Sequence, residues 1–270
     1  MAKLLFHTLV DESRKKFYNV TDTNLDKKEE VTMKYILDTH THTIASGHAY
    51  STIDEMIQAA AEKKLELIGI TEHAPKMPGS CQEIYFSNLK ILPRQRYGVK
   101  VLFGVELNIM DYQGTIDLPK RLLEQMDICI ASMHTPCVPH GTGEQNLTAF
   151  IGAMKNPYVN VIGHPDDGKY PVDYEALVLA AKEHHKLLEL NNNSLLPHSF
   201  RENVRENDLT MLSFCKKHEV PIIVGSDAHY TDYVGRHQEA YELLEEVDFP
   251  EKLVANADLE LFYSFLKKER

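Results

Sequence analysis

Seven short apolar runs, spaced so that a helix fits between most neighbours, constrain this chain more than any other feature. They are Tyr35–Asp38, Leu67–Thr71, Val101–Val105, Asp127–Ala131, Val159–Gly163, Leu187–Leu190 and Pro221–Gly225. Runs this short, rich in β-branched and aliphatic residues, read as buried strands. Segments with helical spacing or helix-start signals separate them. In Ser51–Lys64, Thr52 stands three residues before Glu55, a capping-box pair. Asp173–Lys186, Asp208–His218 and Gly235–Glu246 read as helices for similar reasons. Strands alternating with helices predict βαβ units and a mainly parallel sheet, as in a β/α barrel. No low-complexity linker interrupts residues 33–270, which read as one domain. Residues 1–32 differ, because VTDTNLDKKEE is polar and aperiodic. They read either as a peripheral extension, with Met33 as a candidate initiator, or as an extra element packed on the barrel.

With 270 residues the chain is long enough for one barrel or two smaller domains. Its formal net charge of -11 disfavours long nucleic acids and membrane surfaces, which attract exposed positive charge. Anionic substrates stay open, because bound cations can reverse the local sign. Four cysteines without a C-x-x-C pair predict reduced thiols. The opening MAKLLFHTLVDESRKK lacks a secretory h-region, and no apolar run reaches the roughly 18 residues of a membrane span. A cytoplasmic location is the expectation.

The ligating residues fall where the strands end. Asp38, His40 and His42 close the first run, and Glu72 and His73 the second. Glu106, His134 and His164 follow the third, fourth and fifth. Asn191–Asn193 end the sixth, and Asp227 and His229 the seventh. In β/α barrels the C-terminal strand ends converge on one face and build the active site. Residues two apart on an extended segment point the same way, so His40 with His42, and Asp227 with His229, form nascent ligand pairs. One H-x-H pair is weak evidence, since two capping or surface histidines look the same. Ligating residues at successive strand ends are hard to explain otherwise, and they predict a hydrolase holding several divalent metal ions.

The stretch LDTHTHTIASGHAYST (residues 37–52), with ITEHAPKMPG, LNNNSLLPHS and GSDAH, resembles the PHP (polymerase and histidinol phosphatase) family, closest to its YcdX-like phosphatase branch. The resemblance spans residues 34–270. It implies a distorted (β/α)7 TIM-like barrel, in agreement with the seven runs. It also implies a trinuclear site. His40, His42, Glu106 and Asp227 would hold one ion. Glu106 would bridge to a second, held also by His134 and His164. His48, His73 and His229 would hold the third. Glu72 and Ala228 stand where that branch usually has Asp and Ser, and neither is a ligand. Seven of the nine ligands are imidazoles, which suit zinc first, with manganese or iron as alternatives. Three divalent ions against two carboxylates make a positive pocket for a phosphate. The implied reaction is hydrolysis of small phosphomonoesters by a hydroxide bridging two ions, with Glu106 and Asp227 as the catalytic carboxylates.

Outside that shell, Arg94, His198 and Arg201 are candidate substrate-binding residues, with Ser199 beside them and His140 at the mouth. A solvated arginine or a plain surface loop is the alternative for each. Asn191–Asn193 would either orient ligands or shape a turn. His7, His184, His185, His218 and His237 read as ordinary surface or helix residues. Alternative functions are a histidinol-phosphate phosphatase, a nucleotide phosphoesterase and, of another class, a non-catalytic metal-binding domain; retention of all nine ligand types disfavours the last.

Overall fold

Side chains alternate across a strand with a period of two, and the barrel interior follows that rule. The computed structural model describes residues 35–266, so the reading of residues 1–32, and with it His7, lies outside the described residues. The strands are β1 (Leu37–Asp38), β2 (Leu67–Ile70), β3 (Gln95–Arg96), β4 (Val99–Phe103), β5 (Val105–Asn108), β6 (Cys129–Ser132), β7 (Val161–Ile162), β8 (Leu187–Asn191) and β9 (Ile222–Gly225). The helices are α1 (Ile53–Glu62), α2 (Glu83–Asn88), α3 (Lys120–Leu123), α4 (Gly143–Met154), α5 (Tyr174–Glu183), α6 (Val204–His218), α7 (Gln238–Glu246) and α8 (Leu259–Leu266).

Leu67, Ile130, Val161, Leu187 and Ile223 point inward and form one apolar cluster with Phe262 and Phe265 of α8. Their neighbours Ile68, Cys129, Ile162, Leu188 and Ile222 point outward, into the larger cluster shared with the surrounding helices. Every pairing around the ring is parallel, in the order β1-β2-β4 and then β5-β6-β7-β8-β9. A parallel bridge between Thr41 and Ala228, just beyond β1 and β9, closes it. The fold is the expected seven-membered α/β barrel.

The third member differs from its expectation. Val101–Val105 was to be one strand, but two strands meet at Gly104. β4 pairs with β2, and β5 pairs with β6. Gly104 donates to the Ile70 carbonyl at 2.9 Å, and a Cβ placed on it would lie 2.2 Å from the Ile128 carbonyl oxygen. The chain thus changes partners where only glycine fits, which distorts the barrel. β3 was not anticipated; it is a two-residue strand, antiparallel to β4.

The capping box of α1 is present, with the Glu55 amide donating to the Thr52 hydroxyl at 3.3 Å and the Thr52 amide to Glu55 at 2.7 Å. α4 has the same device in Thr142 and Gln145, a signal in the sequence that went unread. Asp173 caps α5 as expected. α6 begins at Val204, a turn before the expected Asp208, and α7 begins at Gln238 rather than Gly235. Among the described residues no helix is long and apolar enough to cross a membrane.

Gly104→Ala should destabilise the fold by roughly 1–3 kcal/mol, the usual cost of forcing atoms into a packed interior. Urea unfolding checks this, and an unchanged midpoint would contradict the partner-switch role of Gly104.

Candidate metal centre

Above the apolar layer the inward positions turn polar. Two residues on from Leu187 comes Glu189, 1% exposed; two on from Ile223 and Val161 come Gly225 and Gly163. Gly225 makes room for the carboxylate, since a Cβ on it would lie 2.0 Å from Glu189 Oε1; one on Gly163 would instead meet the Ser132 hydroxyl at 2.3 Å. The next inward positions are Asn191, Asp227 and His134, which reach the mouth.

Glu106 on β5 is fully buried at the centre of the site. Five imidazoles surround its carboxylate. His134 Nε2 and His164 Nε2 lie 3.1 and 2.9 Å from Oε1, and His40 Nε2 3.4 Å. His73 Nδ1 and His42 Nε2 lie 2.6 and 3.5 Å from Oε2. Asp227 Oδ1 stands 3.3 Å from His42 Nε2 and 3.7 Å from His40 Nε2. His229 and His48 complete the outer side, their rings 4.8 Å apart. All nine residues named as ligands therefore meet in one place.

Hydrogen bonds on the far side of the rings decide which nitrogen faces the centre. The Asn108 amide donates its hydrogens to Asp117 at 2.7 Å and to the Ala74 carbonyl at 3.2 Å, so its oxygen accepts from His134 Nδ1 at 2.7 Å. Glu189 accepts from His40 Nδ1 at 2.7 Å. The Ser46 hydroxyl donates to Glu72 at 2.6 Å, so it accepts from His42 Nδ1 at 3.1 Å. The carbonyls of Ser46 and Asp227 accept from Nδ1 of His48 and His229, at 3.1 and 2.9 Å. A proton fixed on Nδ1 leaves the Nε2 lone pair for a ligand.

The buried atoms His40 Nε2, His42 Nε2, His73 Nδ1 and Glu106 Oε2 complete no hydrogen bond. Lone pairs that converge on carboxylate oxygens suit a bound cation, and imidazole with carboxylate is a zinc-type donor set. Three triads have donor atoms mutually within 4.8 Å: His42 with His73 and His229; His40 with His42 and Glu106; and His73 with Glu106 and His134. The grouping differs in part from the one the resemblance implies. His73 stands against Glu106 because a parallel bridge pairs the two residues. His48 lies further out and is exposed.

The electrostatics follow from burial and neighbours. Burial lowers His40, but Glu189, Glu106 and Asp227 overcome it and hold the ring well above its ordinary range. Burial and then His73 and His229 push His42 well down, and the same causes take His48 to about 4. Burial raises Glu106, yet His73, His134 and His40 hold it well below the carboxylate range. Asp227 is likewise held low, against burial, by His40, His42, His229 and Arg201. His164 and Asp227 have positive φ, 29° and 49°, strained conformations that aim their side chains inward.

The outer residues divide. Arg201 reaches the site and donates to Asp227 at 3.2 Å, Asn191 at 3.2 Å and Ser194 at 2.7 Å. His198 lines the same cavity of about 550 Å³ and is exposed. Arg94 does not come to the site. Its Nε lies 2.8 Å from Asp127, which precedes β6, and it donates to the carbonyls of Leu89 and Leu92. β3 turns this segment back along β4 and away from the mouth. His140 packs edge-on against Tyr170. His237 is a correction, because it is buried (4% exposed) with Nε2 3.8 Å from Asp38. Asn191 orients Arg201, and Asn192 binds Glu239, so these residues do more than shape a turn.

Residues 38–247 match the family model described as PHP domain. The chain belongs to the PHP domain family. This PHP domain is 48% identical over 231 residues to a protein of Caldicellulosiruptor bescii named "Probable phosphatase", covering 86% of this chain and 95% of that one. A Clostridium novyi protein with the same description is 45% identical over 237 residues, covering 88% and 96%. The fold is similar to that of histidinol phosphate phosphatase from Lactococcus lactis, solved with zinc, L-histidinol and phosphate. There the TM-score is 0.53 and the identity 17%, over 80% of this chain and 95% of that one.

Glu189 was missed in the sequence. Its one signal is a charged residue inside the apolar strand LLEL. It accepts from His40 Nδ1 at 2.7 Å, the His164 amide at 2.8 Å and Asn191 at 3.0 Å, and so orients both sides of the PHP site. Glu189→Gln should lower zinc affinity about 10- to 100-fold, the usual effect of removing a ligand's supporting carboxylate. Competition with a chelating dye measures it, and unchanged affinity would refute the role.

His48 takes up its proton near pH 4 when folded, against 6.5 for a free ring. The stability linked to its neutral form is present above 6.5 and lost as the pH falls towards 4. Because the folded ring stays neutral down to about 4, metal retention, followed by dialysis and elemental analysis, should hold above that pH and fall below it.

Proposed function

We propose that this PHP domain is a metal-dependent phosphatase that hydrolyses small phosphomonoesters at a three-cation site. The observation that carries the reading is the crowding of five imidazoles around the buried Glu106 carboxylate, four presenting Nε2 and His73 presenting Nδ1. His40, His42, Glu106 and Asp227 would hold one ion, Glu106 with His134 and His164 a second, and His48, His73 and His229 a third. Zinc fits this donor set best, with manganese or iron as weaker matches. Bound ions of this kind act as Lewis acids and lower the pKa of coordinated water, to about 7 in favourable zinc sites.

The protein's own groups supply position and charge. Glu189 and Asn108 hold His40 and His134 in the tautomer that leaves Nε2 free. Buried Arg201 stands beside Asp227 and adds a fixed cation to the cavity wall, where a phosphoryl oxygen binds. Asp227, held low by its neighbours, is ionised at neutral pH and serves as a ligand and proton acceptor rather than as the leaving-group acid. The relatives' name "Probable phosphatase" supports the reaction class, and the HAYST segment supports placement in the YcdX-like branch. The net charge of -11 favours a small substrate over a nucleic-acid strand.

Glu106→Ala and His134→Ala should each reduce turnover of phosphomonoesters to background and lower the bound metal. A phosphate-release assay paired with elemental analysis checks this. Full activity in either variant, or no phosphate release from any monoester by the metal-loaded protein, would overturn the proposal.

A further inference from the structure

The cavity that holds the proposed metal ligands is also lined by Met77, Met133, Pro136 and Phe200. Met77 and Met133 are buried, 8% and 3% exposed, whereas Phe200 is 70% exposed. The Lys169 ammonium lies 5.0 Å and the Arg201 guanidinium 5.7 Å from the centre of its ring. Polar groups nearby tie this segment down. Lys169 Nζ donates to the Phe200 carbonyl at 2.6 Å. Asp167 Oδ1 accepts from the amides of Lys169 and Glu202, at 3.1 and 3.2 Å. The Ser199 hydroxyl accepts from the Arg201 amide at 3.2 Å. These bonds fix the backbone that carries Phe200 at the edge of the cavity.

We propose that the site takes phosphomonoesters of planar aromatic alcohols. Their phosphate sits at the histidine cluster and their ring packs on Phe200, Met77, Met133 and Pro136. A volume of about 550 Å³ accommodates a phosphate with one small ring system. A planar ring finds an aromatic face and two polarisable thioethers, both favourable partners for π-systems. A small polyhydroxy leaving group gains neither the aromatic nor the thioether contact, a difference that such a site turns into discrimination. The inference rests on the phosphatase reading for turnover, but not for binding.

Two measurements separate the claims. In the first, kcat/KM is compared for phenyl phosphate, 1-naphthyl phosphate and glycerol 1-phosphate with the zinc-loaded protein. The aryl esters should be favoured by more than about tenfold, and Phe200→Ala should lower that ratio several-fold by slowing the aryl esters alone, the remainder being the better phenolate leaving group. A ratio near one in the natural protein, or a ratio unaffected by Phe200→Ala, overturns the inference. In the second, calorimetry compares phenylphosphonate with methylphosphonate, neither of which can be hydrolysed as an ester. Tighter phenylphosphonate binding supports the aryl site even if no monoester is cleaved, in which case the phosphatase reading alone fails. Equal binding overturns the aryl site whatever the turnover.

Discussion

A carboxylate buried at the mouth of a barrel is the constraint on which this structure depends. Glu106 is fully buried, and an isolated charge in that position would carry a large desolvation cost. Five histidine rings from four strand ends, two of them (His40 and His42) from β1, offset it. Each ring must arrive from its own direction, so the barrel has to bring β1, β2, β5, β6 and β7 to a common height. The partner switch at Gly104 contributes directly. It lets the third member leave β2 after Phe103 and still bridge back from Glu106 to His73. Only a residue without a Cβ fits that switch, because the Ile128 carbonyl occupies the space.

The interior is graded along the barrel axis. Leucine, isoleucine and valine fill the lower layer with α8 beneath them. The next layer contains Glu189 with two glycines facing it, and the top layer contains the site. Glu189 ties the layers together, because one carboxylate fixes the His40 ring and the His164 backbone at once. Glu72 has a parallel role on the other side of the mouth, where it accepts from Thr43, Ser46 and Tyr85, and Ser46 in turn holds His42. Glu72 thus organises the geometry of the histidine cluster without facing its centre.

Charge and strain are concentrated in the same small volume. His164 and Asp227 have positive φ, a region that few non-glycine residues occupy, and both carry inward-facing groups. Beneath Arg201 lie Asp166 and Asp208, both buried. Burial pushes Asp166 up to about 7, against the pull of Arg201, and raises Asp208 well above its ordinary range, with Asp166 adding to it. A carboxyl raised in this way favours the fold at low pH, and that contribution is lost as the pH rises through its folded value. Stability is thus given up around Arg201, where a fixed cation next to the cavity serves binding.

The sequence by itself pointed to the seven strand members, because apolar runs this short, alternating with segments that carry helix-start signals, fit buried strands. It placed eight of the nine ligand candidates at their ends, because a β/α barrel sends every strand end to one face, whatever the order of the chain between them; the ninth, His48, came from the family resemblance. It could not show that Val101–Val105 contains a change of partner, since that depends on the Ile128 backbone lying across Gly104. It could not show that Glu189 belongs to the site, because a lone carboxylate in a strand acquires its meaning from the glycine opposite. Arg94 and His237 show the same limit. The first is drawn to Asp127 by a short antiparallel turn, and the second is buried against Asp38, contacts between residues 33 and 199 positions apart. Residue type and spacing fix which groups can act; only the packed backbone decides which nitrogen, which carboxylate and which arginine meet.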